Sequence, residues 1–201
     1  MPKAPLPKNE TERLAALYRL EILDTPAEER FDRITRIAAE LFDVPISYVA
    51  LLDDDRQWFK SSCGLNVSET PRDVSFCSYA INENQPLVIL DAREDERFRD
   101  LPIVTGDPHI RFYAGCPLAV PKQLNVGTLC VGNRSQRSDH VLGSRVGVGR
   151  FCCLWVTASV IQPRAWRPRR RQVSMTDITT ASVLLPERDS VPKLSLRKIT
   201  A

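Results

Sequence analysis

The sequence predicts an α+β fold: a twisted antiparallel sheet of about five to six strands, flanked by helices and followed by a largely disordered tail. Helical patterns precede a series of short apolar strands, and a short polar turn joins the last two strands into a hairpin. The charge then changes sign. Residues 1–131 have 15 Lys and Arg against 21 Asp and Glu, whereas residues 132–201 have 13 against 4. We therefore divide the chain into a disordered lead-in (1–9), a domain (10–131) and an Arg-rich tail (132–201).

Two helices are expected at the start of the domain. The first begins near Asn9, and its apolar face consists of Leu14, Leu17 and Tyr18. Thr25 has the features of an N-cap for the second helix, with Pro26 at the first helical position and Glu28 three residues after the cap. The apolar face of this second helix, expected to pack on the sheet, consists of Phe31, Ile34, Ala38, Leu41 and Phe42.

Short apolar runs predict the strands. These runs are residues 46–52, 57–62 and 87–90, and a closing hairpin over residues 111–131. Trp58 and Phe59 are adjacent, so they must point to opposite faces of their strand. Gly115 and Gly127 interrupt the apolar strands of the hairpin, which is typical of a bulge or of a close backbone approach. The three aspartates at 53–55 form either a hard-cation site or a solvated turn.

A short helix, capped by Asp73 or Ser75, is expected between the second and third strands. It contains Phe76, Cys77 and Tyr79. Because a helix dipole lowers the pKa of a thiol near the helix start, a redox or cofactor-attachment role for Cys77 stands beside a second interpretation. In that second interpretation Cys77 is a buried, inert thiol next to Phe76.

The strand that opens the hairpin carries a cluster of functional side chains. His109, Arg111 and Tyr113 supply an imidazole, a guanidinium and a phenol, which together can hold an anionic or aromatic ligand. Alternatively, Arg111 pairs with an acidic residue of the charged segment 91–108, such as Asp91. The residues alone leave both interpretations open.

Several short segments, in order along the chain, carry a resemblance to a known family. They are LDTP (23–26), ERFD (29–32), DRQWFK (55–60), SFC (75–77), LDAR (90–93), DERF (95–98), IRFYAG (110–115) and GTLCV (127–131). Together they cover about residues 12–131. They resemble a bacterial GAF domain, of the subtype found at the input end of sensor histidine kinases and diguanylate cyclases. After about residue 131 the sequence does not match this family.

The resemblance implies a six-stranded antiparallel sheet between helices, with a small-molecule pocket on one face. We therefore expect a non-catalytic, cytoplasmic sensory domain that binds a small molecule and takes part in signal transduction, as in two-component systems. The identity of the ligand or cofactor is unknown. The expected ligand-binding residues are Phe76, Cys77, Tyr79, Asp91, Arg111 and Tyr113. The flanking helices are expected to transmit the signal and to form a homodimer.

Two alternatives accompany this hypothesis. In the first, the chain is a truncated or frameshifted input fragment of a sensor histidine kinase or diguanylate cyclase, and another reading frame encodes an amphipathic helix after Val131. In the second, the chain is a Cys-dependent GAF-like reductase, which needs two cysteines close together in a pocket. The basic run at 164–171 is expected to be out-of-frame sequence or ordinary disorder, and nucleic acid is not an expected partner.

The sequence offers little support for other chemistry. None of the six cysteines forms a C-x-x-C pair, which disfavours a zinc site and indicates free thiols. No nucleophile with an adjacent base and no phosphate-binding loop is recognisable. The longest apolar run, 151–161, is too short for a membrane helix, and the first residues do not form a secretion signal. We therefore expect no metal, no membrane span and no catalytic activity.

Overall fold

The computed structural model describes residues 4–121 and 123–137. The expectations for the tail therefore concern residues that lie almost entirely outside the described part of the chain. The helices are α1 (Glu10–Tyr18), α2 (Glu29–Phe42), α3 (Cys77–Ala80) and α4 (Pro102–Thr105), and a 3₁₀ turn spans Arg72–Val74. The strands are β1 (Ile46–Leu52), β2 (Arg56–Cys63), β3 (Glu69–Pro71), β4 (Leu87–Ile89), β5 (Phe112–Val120) and β6 (Leu124–Asn133).

The six strands form one sheet in the order β3-β2-β1-β6-β5-β4, and every neighbouring pair is antiparallel. This arrangement confirms the predicted α+β fold and the closing hairpin. The two central strands, β1 and β6, are far apart in sequence but pair directly, with Val49 opposite Leu129. The short edge strand β3 was not predicted, because its three residues, Glu-Thr-Pro, show no apolar alternation.

Each face of the sheet has its own apolar core. Leu17 of α1 and Phe31 of α2 pack with Trp58 on one face. Phe59 packs with Phe76 and with the segments around α3 and α4 on the other. Trp58 and Phe59 therefore do point to opposite faces, as the pleat of a strand requires.

The predicted start of the second helix is wrong. The helix begins at Glu29 and has no side-chain cap, because the hydroxyl of Thr25 is engaged elsewhere. The Thr25 hydroxyl donates to the carbonyl of Ile22 at 2.7 Å and accepts a hydrogen bond from the ammonium of Lys60 at 2.6 Å. Thr25 therefore anchors the preceding turn to β2.

Two residues of the predicted apolar helix faces are also placed differently. Leu41 of α2 is 57% exposed, and the sheet-facing positions of this helix are Phe31, Thr35 and Ala38. Tyr18 of α1 is 50% exposed, and its hydroxyl donates to a carboxylate oxygen of Asp53 at 2.8 Å. The Tyr18 side chain therefore ties α1 to the β1–β2 turn instead of filling the core.

The glycines of the closing hairpin mark close approaches, as expected. A Cβ atom at Gly127 would lie 2.2 Å from the carbonyl oxygen of Ala50 on β1. A Cβ atom at Gly115 would lie 2.0 Å from the hydroxyl of Tyr113. Only glycine therefore leaves room for the neighbouring strand at one position and for the folded-over tyrosine at the other.

Candidate functional site

A cavity of about 300 Å³ opens between the sheet and the segment that leads into α3. Three aromatic rings contribute to its wall, and six polar side chains also line it: Gln57, Asn66, Thr70, Ser75, Asp107 and Arg134. The aromatic rings are those of Tyr48, Phe59 and Phe76. The cavity therefore has a mixed lining of aromatic, aliphatic and polar groups.

A β-bulge sets which residues of β2 reach the cavity. Pairing with β1 shifts from Val49 opposite Ser61 to Ala50 opposite Phe59, so Lys60 is the extra residue. Lys60 and Ser61 consequently both face α2, where Ser61 donates to a carboxylate oxygen of Asp32 at 2.6 Å. Phe59, which precedes Lys60, lies on the opposite face of β2, and its side chain points to the cavity.

A chain of polar contacts leads from the cavity wall to α1. Ser75 donates to the side-chain oxygen of Gln57 at 2.7 Å, and Ser78 donates to the main-chain oxygen of Arg72 at 2.7 Å. The Ser78 amide donates to the Ser75 hydroxyl at 3.2 Å, which joins these two contacts. Arg72 in turn donates to a carboxylate oxygen of Glu10 at 2.6 Å. The cavity wall and α1 are thus joined through the 3₁₀ turn and α3.

A sulfur and tyrosine cluster lies directly behind the aromatic wall. The sulfur atoms of Cys77 and Cys130 are 3.5 Å apart, and the hydroxyl of Tyr113 lies 3.2 Å from the Cys130 sulfur. All three residues are fully buried. The Tyr113 ring stacks on Phe76 with ring centroids 4.6 Å apart, so this cluster supports the cavity wall from below.

The two thiols differ in acidity. Burial raises the pKa of Cys77, but hydrogen bonds from Cys130, Thr128 and the nearby tyrosines outweigh it and lower that pKa to about 7. Burial and the neighbouring Cys77 raise the pKa of Cys130 well above its usual value. If either thiol ionises, it is therefore Cys77, which gives that residue the greater nucleophilic character of the pair.

A second, more open pocket of about 490 Å³ lies beside the β5 entry. Its lining includes the arginines Arg93, Arg99, Arg111 and Arg134 and the histidine His109. Arg111 also forms a two-point ion pair with Asp91, whose pKa is lowered chiefly by the hydrogen bond from that guanidinium. This pairing is one of the two arrangements that the sequence leaves open for Arg111.

The structure does not bring the six predicted ligand residues into one site. Phe76 lines the first cavity. Cys77 and Tyr113 are buried behind it, whereas Asp91 and Arg111 pair at the second pocket. Tyr79 packs edge-on against Phe98, with ring centroids 4.9 Å apart. Neither Tyr113 nor Arg111 is among the residues that line the first cavity.

Sequence reasoning missed most of the cavity wall. Tyr48 alternates with Ala50 and Leu52 on the same face of β1, so the period-two pattern contains the signal for its position. Gln57 sits two residues before Phe59 and could have been found in the same way. No comparable signal exists for the loop residues, since Leu65, Val67 and Ile110 reach the cavity only through the path of the loops.

Other site types find no support in the described residues. No group of three or more His, Cys, Asp or Glu side chains within residues 4–121 and 123–137 could hold a metal ion. Asp53 of the aspartate turn instead accepts hydrogen bonds from Tyr18, Arg56 and the amide of Asp54. In the same part of the chain, no helix is long and apolar enough to cross a membrane.

Comparison with known proteins finds a relative that is similar in sequence and, separately, solved structures that are similar in fold. A protein of Pseudomonas aeruginosa named as a cyclic di-GMP phosphodiesterase is 45% identical over 137 residues, which is 68% of this chain and 23% of that protein. The chain thus spans less than a quarter of that relative.

Solved structures with a similar fold include the GAF domain of an Acinetobacter phosphoenolpyruvate-protein phosphotransferase. Its TM-score is 0.46 at 18% identity, over 70% of this chain and 94% of that one. The free methionine-R-sulfoxide reductase of Neisseria meningitidis has a TM-score of 0.48 at 14% identity, over 70% of this chain and 83% of that one. The family model for the GAF domain matches residues 26–173, so it extends beyond residue 131, where the segments that carry the resemblance in the sequence end. By that match, and with the six-stranded sheet expected for the family, the chain belongs to the GAF domain family.

Proposed function

We propose that this chain is a sensory domain, which binds a small molecule in the cavity beside Phe76 and communicates binding to α1. The cavity carries the proposal. It measures about 300 Å³ and combines the rings of Tyr48, Phe59 and Phe76 with the polar groups of Gln57 and Ser75. A concave site that combines aromatic rings with placed polar groups is typical of small-molecule binding. These walls favour a small aromatic molecule with at least one hydrogen-bonding group.

The contacts from the cavity wall to α1 supply the route for the signal. A ligand that hydrogen-bonds to Ser75 or Gln57 competes with the bond between these two side chains. Ser78 and Arg72 connect that bond to Glu10 on α1. The expected result is a change in how firmly α1 is held, which a neighbouring domain can detect as a change of helix position.

The relative from Pseudomonas aeruginosa suggests the setting of this signal. Its name assigns it to cyclic di-GMP hydrolysis, and the region similar to this chain is a minor part of its length. We propose by analogy that the domain serves as an input module for cytoplasmic signal transduction in which cyclic di-GMP turnover is the output. The domain itself would then be non-catalytic. A homodimer through the flanking helices stays a prediction.

Ligand binding can be tested in the full chain with benzamide as the probe, by saturation-transfer NMR. Val67 lines the cavity and is 49% exposed, so Val67→Trp should fill the cavity without disturbing the core. Leu41→Trp on α2 is the matched control, because Leu41 is 57% exposed and is not among the residues that line the cavity. We expect the cavity variant to bind benzamide at least tenfold more weakly than the wild type and the control. Equal binding by all three proteins would contradict the proposed site.

The non-catalytic role has its own test. The full chain, incubated with cyclic di-GMP and Mg²⁺ or Mn²⁺, should not hydrolyse it. The same chain with free methionine sulfoxide and dithiothreitol should show no turnover, since Cys77 and Cys130 are fully buried behind the cavity wall. Sustained turnover in either assay, lost on Cys77→Ser in the second, would replace the sensory assignment with an enzymatic one.

A further inference from the structure

The pocket beside the β5 entry differs in character from the aromatic cavity. Four arginines, Arg93, Arg99, Arg111 and Arg134, line it together with His109, and none of the described lining residues carries a carboxylate. The surrounding domain is acidic, with 15 Lys and Arg against 21 Asp and Glu in residues 1–131. The local sign of the charge is therefore opposite to that of the domain.

Several of the arginines in this pocket also lack a close carboxylate partner. Arg36, Arg56 and Arg97 each form an ion pair with a carboxylate at 2.5–2.7 Å. Among the described residues, Arg93 and Arg134 have no carboxylate within 4.0 Å, and Arg99 reaches Asp100 only at 3.7 Å. Guanidinium groups without a partner remain available to an incoming anion.

We infer that this pocket is a second ligand site, which takes the phosphoryl group of a small molecule. A guanidinium presents a planar fork that matches phosphate oxygens, and several such groups around one pocket favour a multiply charged anion over a single carboxylate. The carboxylate of Asp91 already occupies one side of Arg111. Arg93, Arg99 and Arg134 then provide the remaining charge, and the imidazole of His109 adds a donor.

The site is independent of the aromatic cavity in most of its residues. Arg134 borders both pockets, but Arg93, Arg99 and His109 line only the basic one. A phosphorylated molecule in this pocket contacts the segment between β4 and β5 and the residues just after β6. The two sites can therefore be tested separately, with variants that leave the aromatic cavity unchanged.

The test measures binding of pyrophosphate to the full chain by isothermal titration calorimetry at low salt. The disrupting variant is Arg93→Gln/Arg99→Gln. The matched control is Arg19→Gln/Arg33→Gln, which removes the same charge from two other arginines that have no carboxylate within 4.0 Å among the described residues and that lie outside the pocket. The control is needed because residues 132–201 contain 13 Lys and Arg, which attract anions without a defined site.

We expect saturable binding that weakens at least tenfold in the disrupting variant and stays within twofold in the control, with thermal unfolding unchanged in both. As a site-specific readout, pyrophosphate should change the chemical shift of the His109 imidazole protons. This NMR signal is assigned by its loss in His109→Gln. An equal loss of pyrophosphate affinity in both variants, or an unchanged His109 chemical shift, would overturn the proposed site. Phosphate on a lipid headgroup offers the same chemistry, so phosphatidic acid vesicles form a second arm. Vesicle binding through Arg93 and Arg99 without pyrophosphate binding would contradict a small soluble ligand.

Discussion

The carboxylate of Glu10 is the shared ion-pair partner of two buried guanidinium groups. This carboxylate accepts hydrogen bonds from Arg13 at 2.7 and 2.8 Å and from Arg72 at 2.6 Å, and both arginines are almost fully buried. Partial burial raises the pKa of Glu10, but these hydrogen bonds outweigh it and lower that pKa from 4.5 to about 2. Without this carboxylate, two buried charges would lose their shared partner.

We therefore expect Glu10→Gln to lower the free energy of unfolding at pH 7 by about 1.5–3 kcal/mol, the range for hydrogen bonds to charged groups. Because the folded-state pKa is depressed, the contribution is complete above pH 4.5 and is lost as the pH falls toward 2. Urea unfolding at several pH values measures it. Glu12→Gln, on the exposed side of the same helix, is the control. A difference between wild type and Glu10→Gln that stays constant from pH 7 to pH 2 would contradict this role.

Tyr113 shows how far sequence reasoning reaches at single residues. Its place on β5 is evident from the strand pattern, and the sheet position predicted for it is correct. Its direction could not be predicted, because it depends on Gly115 two residues later. With no side chain at Gly115, the Tyr113 hydroxyl lies over that position and reaches the sulfur of Cys130. For a similar reason the sequence does not decide whether Arg111 binds a ligand or pairs with an acidic residue, since only the folded loop brings Asp91 close.

At the scale of elements, the central strand β6 requires glycine at position 127 but not at position 132. Gly127 faces the carbonyl oxygen of Ala50, and a Cβ atom would meet it at 2.2 Å. A Cβ atom at Gly132 in the same strand would meet nothing closer than 3.6 Å. Gly127→Ala should therefore destabilise the protein by roughly 1–3 kcal/mol through overpacking, whereas Gly132→Ala should be nearly neutral. Chemical unfolding of both variants measures this difference, and equal stability would contradict the close β1–β6 approach.

The elements also show why some boundaries were predictable. β1 was placed at residues 46–52, as found, because a continuous apolar run bounded by Pro45 and the aspartate turn leaves little choice. Thr25 and Pro26 form a good local capping signal, which predicts a start for α2 that is too early, since the helix begins at Glu29. Lys60, 34 residues away from Pro26, binds the hydroxyl of Thr25 and the carbonyl of Pro26, and this long-range contact overrides the local signal.

At the scale of the whole molecule, Arg137 ties the residues after β6 to both layers of the domain. Its guanidinium donates to the carbonyl of Phe42 at 2.8 Å and to that of Asp43, at the C-terminal end of α2. Its amide donates to the carbonyl of Leu90 at 3.2 Å. A cation at a helix C-terminus is stabilising, so Arg137 holds α2 against the sheet.

A chain that ends after Arg137 should accordingly be more stable than one that ends after Asn133, by roughly 1 kcal/mol. The measurement is the free energy of unfolding in urea for both truncated chains. Arg137→Gln in the longer chain is the matched control, and it should lose most of the difference. If the two chains are equally stable, the contacts of Arg137 do not contribute to the domain.

The link between the cavity and α1 is tested most directly by hydrogen–deuterium exchange of backbone amides in the full chain, read by mass spectrometry. Filling the cavity with Val67→Trp should change exchange in the segment 69–80 and also in α1, because Ser75, Ser78, Arg72 and Glu10 connect them. Leu41→Trp should leave both unchanged. In a Glu10→Gln background, the cavity variant should alter the segment 69–80 without altering α1. Exchange that changes only at the cavity wall, with α1 identical to the wild type, would contradict a sensory domain that signals through this helix.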